Sequence, residues 1–178
     1  MRKIGILLAV LVLVCSSCAK KEEVPQYKGE IILSSELLLS GQSYVFYGFS
    51  FQTGQISTYS LTSSVKPDLA IINVELEDSV NLDMTGSDDQ EAFSENGIFS
   101  TAGLAEIFFN NYTEVPSLDF QPIAHNIKTN QIWTIQTASK HFAKIWIREI
   151  TVLPGTVSDY ADIRIQYQYQ PDGSRIFD

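Results

Sequence analysis

The sequence predicts an all-β fold, an antiparallel sandwich of two curved sheets that includes at most one short helix. Apolar runs rich in β-branched and aromatic residues follow one another along the chain, and turn residues separate them. The last long run alternates strictly between apolar and polar side chains, which is typical of a strand packed on one face only. Roughly 150 residues follow the N-terminal segment, enough for one domain with its own core.

The N-terminal segment has the pattern of a bacterial lipoprotein signal. Two basic residues precede an apolar run over 4–14, which is shorter than the about 20 residues that a spanning helix needs. Small residues come directly before Cys18, so we predict a signal peptide at 1–17 and lipidation at Cys18. An ordinary secretory signal and an uncleaved anchor are the alternatives. A redox pair with Cys15 would need a βαβ context that the sequence lacks.

A polar tether is predicted to connect the lipid to the domain. We assign 18–29 to the lipidated cysteine and this tether, and 30–178 to a single ligand-binding domain. Residues 19–23 resemble the lysine-plus-acidic signal that sends lipoproteins of Bacteroidetes-type bacteria to the outer face of the outer membrane, although a plain solvated tether has the same composition. The net charge of −9 argues against nucleic-acid partners. We expect an outer-membrane protein, lipid-anchored at the cell surface.

The first half of the domain is predicted to contain four strands. Gln52–Gln55 has the chemistry of a hairpin turn, in which Gly54 adopts a positive φ. Ser79–Gly97 is polar and acidic, and is predicted to be a long loop. The strands are expected at Glu30–Leu39, Tyr44–Phe51, Gln55–Leu61 and Leu69–Leu76.

Four carboxylates fall within or beside the middle of that loop. Carboxylate oxygens are the ligands that Ca²⁺ prefers, but the spacing of a calcium-binding EF-hand is absent, so a solvated acidic loop is the other interpretation. No other metal site is predicted. The four residues are Asp88, Asp89, Glu91 and Glu95.

The second half begins with the one predicted helix. Over Ala102–Asn111, apolar side chains at Leu104, Ile107 and Phe108 recur at helical spacing, which predicts a short helix that Asn110 and Asn111 would end. Three strands then make a meander that a Pro-Asp-Gly turn at 171–173 ends. They are predicted at Gln131–Thr137, Phe142–Arg148 and Ile163–Gln170.

Several of these segments also resemble the HmuY-like surface lipoproteins of Bacteroidetes-type bacteria. The likeness is greatest in the closing strands and weaker in an early hairpin and the strand after it. In order along the chain, the segments are Tyr47–Gly54, Pro67–Ile71, Gln131–Thr137, Phe142–Ile145 and Tyr167–Ser174. The resemblance implies an all-β surface lipoprotein and, for the best-known members, haem capture by His or Met side chains from loops.

Three side chains are candidates for that axial role, since imidazole and thioether both ligate haem iron. His125 lies in a loop before the Trp133 strand, a region that carries a haem-ligating histidine in the best-known member. Met84 lies after the Leu69 strand, and a methionine at such a position also commonly fills the core. His141 lies in a hairpin turn and is expected to be exposed. Glu95–Asn111, the other region expected to bear a ligand, contains neither His nor Met.

The expected function is non-enzymatic. The chain contains neither a Gly-x-Ser-x-Gly nor a His-Glu-x-x-His motif, and two histidines sixteen residues apart do not suggest a triad. We predict a surface lipoprotein that binds a small ligand, with haem as the candidate, and delivers it to an outer-membrane receptor for uptake. The alternative is a structural or adhesion lipoprotein that binds a protein or glycan.

Overall fold

The computed structural model describes residues 27–76, 79–86 and 91–177, and the predicted sandwich of two antiparallel sheets is confirmed. Within these residues the chain forms ten strands and one helix. They are β1 (Lys28–Ser34), β2 (Leu37–Ser40), β3 (Ser43–Ser50), β4 (Gln55–Ser60), β5 (Leu69–Leu76), β6 (Ser79–Thr85), β7 (Phe93–Ile98), α1 (Ala102–Asn111), β8 (Gln131–Gln136), β9 (Phe142–Leu153) and β10 (Tyr160–Gln170).

The two sheets have different strand orders. Sheet A runs β1-β10-β9-β8-β7, while sheet B runs β2-β3-β5-β6 with β4 paired to β3. Side chains from both inner faces form the main core, in which Phe49, Met84, Trp133 and Ile163 are almost completely buried. The core therefore lies between the sheets, as in other β-sandwiches.

The alternation predicted for the last strand is confirmed. Ile163, Ile165, Tyr167 and Tyr169 are buried, and the residues between them are half-buried. The predicted turn chemistry is also found, since Gly54 has a φ of +67°. Local periodicity and turn residues were sufficient for both features.

The prediction of one strand over Glu30–Leu39 was wrong. The chain turns at Ser35, so β1 pairs in sheet A and β2 pairs in sheet B. Ser35 donates its backbone N–H to Ala161 O at 2.9 Å and accepts from Ala161 N through Oγ at 2.8 Å. These two bonds satisfy the backbone where the chain crosses between sheets.

The prediction of a long loop over Ser79–Gly97 was also wrong. This region contains β6, which pairs with β5 throughout, and β7, which forms the edge of sheet A. Leu82, Met84 and Phe93 bring apolar side chains into the core between polar neighbours. The acidic composition concealed this alternation.

One irregular segment joins the edges of the two sheets. Gln121 bonds with β7 at Phe93, and Ala124 bonds with β6 at Met84, with N···O distances between 2.8 and 3.0 Å. Because β7 and β6 are the edge strands of their sheets, this segment closes one side of the sandwich.

The helix has the predicted bounds. Ala105 and Phe109 are buried, whereas Leu104 and Ile107, whose spacing predicted the helix, are exposed. The reason is that α1 packs on the outer face of sheet A, where Ala105 and Phe109 contact Ile132 and Trp146.

A buried lysine fixes the end of this helix. Lys144, on β9, donates Nζ to Phe109 O and Tyr112 O, both at 2.8 Å, and the ammonium lies over the rings of Phe109 and Phe177. A cation here complements the negative end of the helix dipole. Burial lowers the pKa of Lys144 to about 8.

Candidate functional site

A cleft opens in sheet B where two strands separate. β4 occupies one side of β3, over Val45–Ser50. On the other side, β2 pairs with Ser43–Phe46 and β5 pairs with Gly48 and Phe49. β2 and β5 therefore lie end to end along the same edge of β3, and the cleft lies between them.

The cleft has the size of a small-molecule site. Its volume is about 630 Å³, and such sites typically span about 300–1,000 Å³. Apolar side chains make up much of its wall, and a few polar ones accompany them. The apolar residues are Leu37, Phe46, Leu61, Pro67, Ile71 and Ile72, and the polar ones are Ser35, Lys66, Asn73, Thr85 and Ser158, beside Gly86.

The loop between β4 and β5 lies over β3 at one end of the cleft. A Cβ on Gly48 would lie 2.4 Å from Pro67 Cβ, so glycine is needed for this close approach. The neighbouring Lys66 donates Nζ to Leu61 O at 3.2 Å. The loop thus brings one ammonium group to the cleft.

The cleft continues into an exposed apolar rim, formed by Leu39, Tyr44 and Leu61. In sheet B, Leu37 pairs with Phe46 and Leu39 pairs with Tyr44, so all four side chains share one face. Leu61 follows β4 one step beyond the Val45–Ser60 pair, next to Tyr44. All three rim residues are exposed. An apolar surface therefore runs from inside the cleft to the solvent.

A histidine and a buried aspartate form the second feature of this face. His125 Nδ1 lies 2.8 Å from Asp83 Oδ2, and the histidine side chain is 63% exposed. The other carboxylate oxygen accepts from Asn126 N at 2.9 Å. A carboxylate can only accept, so Nδ1 carries the proton and Nε2 is the basic nitrogen. This is the arrangement by which proteins orient metal-ligating histidines.

The sheet register brings this pair close to the cleft. Asp83 on β6 is directly opposite Ile72 on β5, so both side chains lie on the same face, and Ile72 lines the cleft. His125 belongs to the segment that pairs with the far side of β6. Two strand spacings of about 4.8 Å put the backbone of His125 roughly 10 Å from that of Ile72.

The two predicted haem ligands thus lie on adjacent segments but differ in access. Met84 is bonded through its backbone to Ala124, next to His125, yet its side chain is 0% exposed and belongs to the core. Its burial favours a packing role, and ligation by Met84 stays a prediction without support from this geometry. Of the two predicted ligands, only His125 has a side chain that a ligand from solvent can reach.

The remaining histidine, His141, is not exposed as predicted. It is half-buried, and its Nδ1 lies 2.9 Å from the hydroxyl of Tyr169. Burial raises the pKa of Tyr169 to about 12, so the phenol keeps its proton in this hydrogen bond. This hydrogen bond ties the β8–β9 turn to β10.

The other predicted site residues are the lipidated cysteine and the acidic residues of the predicted loop. Cys18, Asp88 and Asp89 lie outside the described residues. Glu95 lies on β7 and is exposed. Within the described ranges, no three His, Cys, Asp or Glu side chains are grouped to hold a metal ion. No helix in the part of the chain that the structure describes is long and apolar enough to span a membrane.

Two residues of this face were missed by sequence reasoning. No role was predicted for Lys66, and Asp83 lay within the predicted acidic loop over Ser79–Gly97. A sequence signal existed for the cleft itself, because Leu37–Leu39 is apolar at three consecutive positions, which alternation alone does not require. Nothing local indicates that Asp83 meets His125, since 42 positions separate them.

Compared with known proteins, the chain matches no family model and no curated protein sequence. The resemblance to HmuY-like lipoproteins therefore rests on the motifs alone.

Proposed function

We propose that this chain is a non-enzymatic, lipid-anchored protein of the outer-membrane surface that captures a small, mainly apolar ligand for uptake. Haem is the first ligand to test. The observation that carries the proposal is the cleft of about 630 Å³, which continues into the apolar rim and has His125 at the neighbouring edge of the same face.

His125 would hold the haem iron through Nε2. Its hydrogen bond to Asp83 fixes the tautomer that leaves Nε2 basic and holds the ring in one orientation. The apolar rim would contact the porphyrin, since aromatic and aliphatic surfaces suit its flat apolar faces. Haem itself supplies the iron centre that the imidazole recognises.

The remaining parts of the proposal concern the location of the protein. Lipidation at Cys18 would attach the domain to the membrane, and the tether over 18–29 would hold it at the cell surface, where an outer-membrane receptor would take the ligand. Buried acyl chains bind firmly because each CH₂ contributes about 0.8 kcal/mol.

The test is an absorbance titration of the chain from residue 19 onwards with haemin, under oxidising and reducing conditions. We expect a saturable, sharpened Soret band that His125→Ala abolishes. His141→Ala is the matched control, because this histidine bonds to Tyr169 on a different part of the fold. Asp83→Asn should weaken binding about 10- to 100-fold while keeping His125.

The same titrations also show which outcomes would contradict the haem proposal. Circular dichroism confirms that each variant is folded. A titration without saturation under both conditions would remove haem, and an equal loss in the two histidine variants would remove His125 as the axial ligand.

A second function is favoured by the exposure of the apolar rim. Leu39 and Leu61 are both more than half exposed, and Tyr44 lies beside them, a combination suited to a protein or glycan contact. A structural or adhesion lipoprotein would bind a macromolecule through this rim. Its expected signature is binding that Leu39→Ser removes and that no small apolar ligand competes for.

A further inference from the structure

We propose that the cleft binds an apolar molecule through a carboxylate group, and that Lys66 is the partner of that carboxylate. The inference rests on the proposed function, because it assumes a small ligand in this cleft. It adds the chemical class of the ligand and the residue that selects it.

The charge of the cleft wall is the first step. Lys66 is the one ionisable side chain among the described residues that line the cleft. The rest of the wall is largely apolar, so an uncharged ligand would leave this ammonium facing an apolar surface. The whole chain has a net charge of −9. We therefore interpret an isolated cation at the cleft as a feature that selects the ligand, rather than as part of a basic surface.

The hydrogen bonding of Lys66 is the second step. An ammonium has three donors, and Nζ gives one of them to Leu61 O at 3.2 Å. The salt bridges of the described residues involve His125, Arg148 and Arg164 instead. Lys66 is therefore oriented by a carbonyl group and has donors left for an anion.

The position of Lys66 is the third step. Its neighbour Pro67 is fixed on β3 by the close approach to Gly48, and its hydrogen-bond partner Leu61 belongs to the apolar rim. The ammonium is thus held between the rim and the wall of the cleft. A ligand with its apolar part in the cleft and its charged end at the opening would bring that end to Nζ.

The type of anion follows from the number of donors. Phosphate sites combine several donors, such as an arginine fork or a helix N-terminus, and the described wall has neither. One lysine matches one negative charge that two oxygen atoms share. A carboxylate is the simplest group with this property.

The test compares two fluorescent probes with the same polyene chain, one ending in a carboxylate and the other in its uncharged methyl ester. The probes are cis-parinaric acid, an apolar polyene carboxylate, and its methyl ester, titrated into the chain from residue 19 onwards, which retains every residue of both sheets. We expect the acid to bind about 5- to 10-fold more tightly than the ester, as a partly exposed charged hydrogen bond allows.

Three variants locate the effect. Lys66→Met keeps the apolar stem and should reduce the affinity for the acid to that for the ester, leaving the ester unchanged. Lys140→Met, on an exposed turn of sheet A, should change neither affinity. Leu61→Ser, at an exposed position of the cleft, should weaken both probes and so place them in the cleft.

The outcomes separate this inference from the proposed function. Equal binding of acid and ester, an unchanged preference in Lys66→Met, or no effect of Leu61→Ser would overturn the carboxylate site. Failure of both probes would also overturn it. If haemin still binds in that case, the proposed function stands, and if haemin fails as well, the proposed function fails with it.

Discussion

The outer faces of the two sheets are both apolar, but the chain covers them to different extents. On sheet A, Ile132 and Trp146 lie under α1, and Phe142 lies under the C-terminal segment at Phe177; we call this the covered face. On sheet B, Leu37 and Phe46 lie in the cleft, bounded by a loop and the apolar rim; we call this the open face.

The difference shows how to interpret an apolar outer face. Burial of apolar area stabilises a fold by about 25 cal/mol per Å². On the covered face, α1 buries the apolar side chains and so provides this stabilisation. The open face has comparable side chains, and no helix of the described residues lies over it. We infer that its apolar area is available to a ligand or partner, which is why both proposals lie there.

The largest expected effect is the loss of an aromatic side chain from the covered face. Trp146→Ala should lower the free energy of unfolding by about 3–5 kcal/mol, because the fully buried ring leaves a cavity under α1. Phe46→Ala on the open face should cost less than half as much. Urea unfolding measures both, and equal losses would mean that the two faces do not differ as described.

The next effect is a pH dependence specific to the covered face. The pKa of Lys144 is about 8 in the folded chain, against an ordinary value of 10.5. The unfolded chain therefore binds more protons between these values, and the free energy of unfolding rises with pH through this window. From pH 7 to pH 10 we expect the free energy of unfolding to rise by about 2–3 kcal/mol more in this chain than in Lys144→Met.

Unfolding experiments at several pH values up to 10 measure this difference. The limit at pH 10 matters because burial also raises the pKa values of Tyr112, Tyr167 and Tyr169, so their ionisation opposes folding at higher pH. Parallel pH profiles of the two proteins would contradict the lowered pKa of Lys144.

A glycine on the open face gives an intermediate effect. Gly48→Ala puts a methyl group into Pro67 and should cost about 1–3 kcal/mol as the loop moves away. It should also weaken ligand binding, because Lys66 moves with the loop. Gly103→Ala in α1 is the control, since open space surrounds its Cβ position, and it should be neutral or slightly stabilising. Thermal unfolding that ranks the two variants the other way would refute the close approach.

The smallest effect is expected at the apolar rim. Leu39→Ser should change the free energy of unfolding by no more than about 0.5 kcal/mol, because the side chain is already exposed. The same substitution should clearly reduce ligand or partner binding. A large loss of stability would mean that the rim packs against the protein itself, and the open face would then be covered.

The features that sequence predicted well are local ones. The strand at Leu69–Leu76 and the helix at Ala102–Asn111 have the predicted bounds, and Gly54 has the predicted positive φ. Backbone geometry repeats every two residues in a strand and every 3.6 in a helix, so the pattern of side chains records it directly. The same reasoning failed at Ser79–Gly97, where acidic residues obscured the alternation.

The face on which a helix packs could not be read from its own residues. Leu104 and Ile107 are exposed, while the smaller Ala105 is fully buried, because Trp146 fills the space beneath α1 and leaves room for a small side chain there. That space is decided by β9, about forty residues further along the chain.

The sequence by itself determined the fold class and the order of most elements, while the lipoprotein signal and the location that it implies stay predictions. Tertiary structure alone decided that Asp83 orients His125, that β2 and β5 part to form a cleft, and that Lys66 is the charge on its wall. The physical reason is that periodicity is set by neighbouring peptide units, whereas a site is set by contacts between residues distant in sequence, whose pairing depends on how both sheets pack.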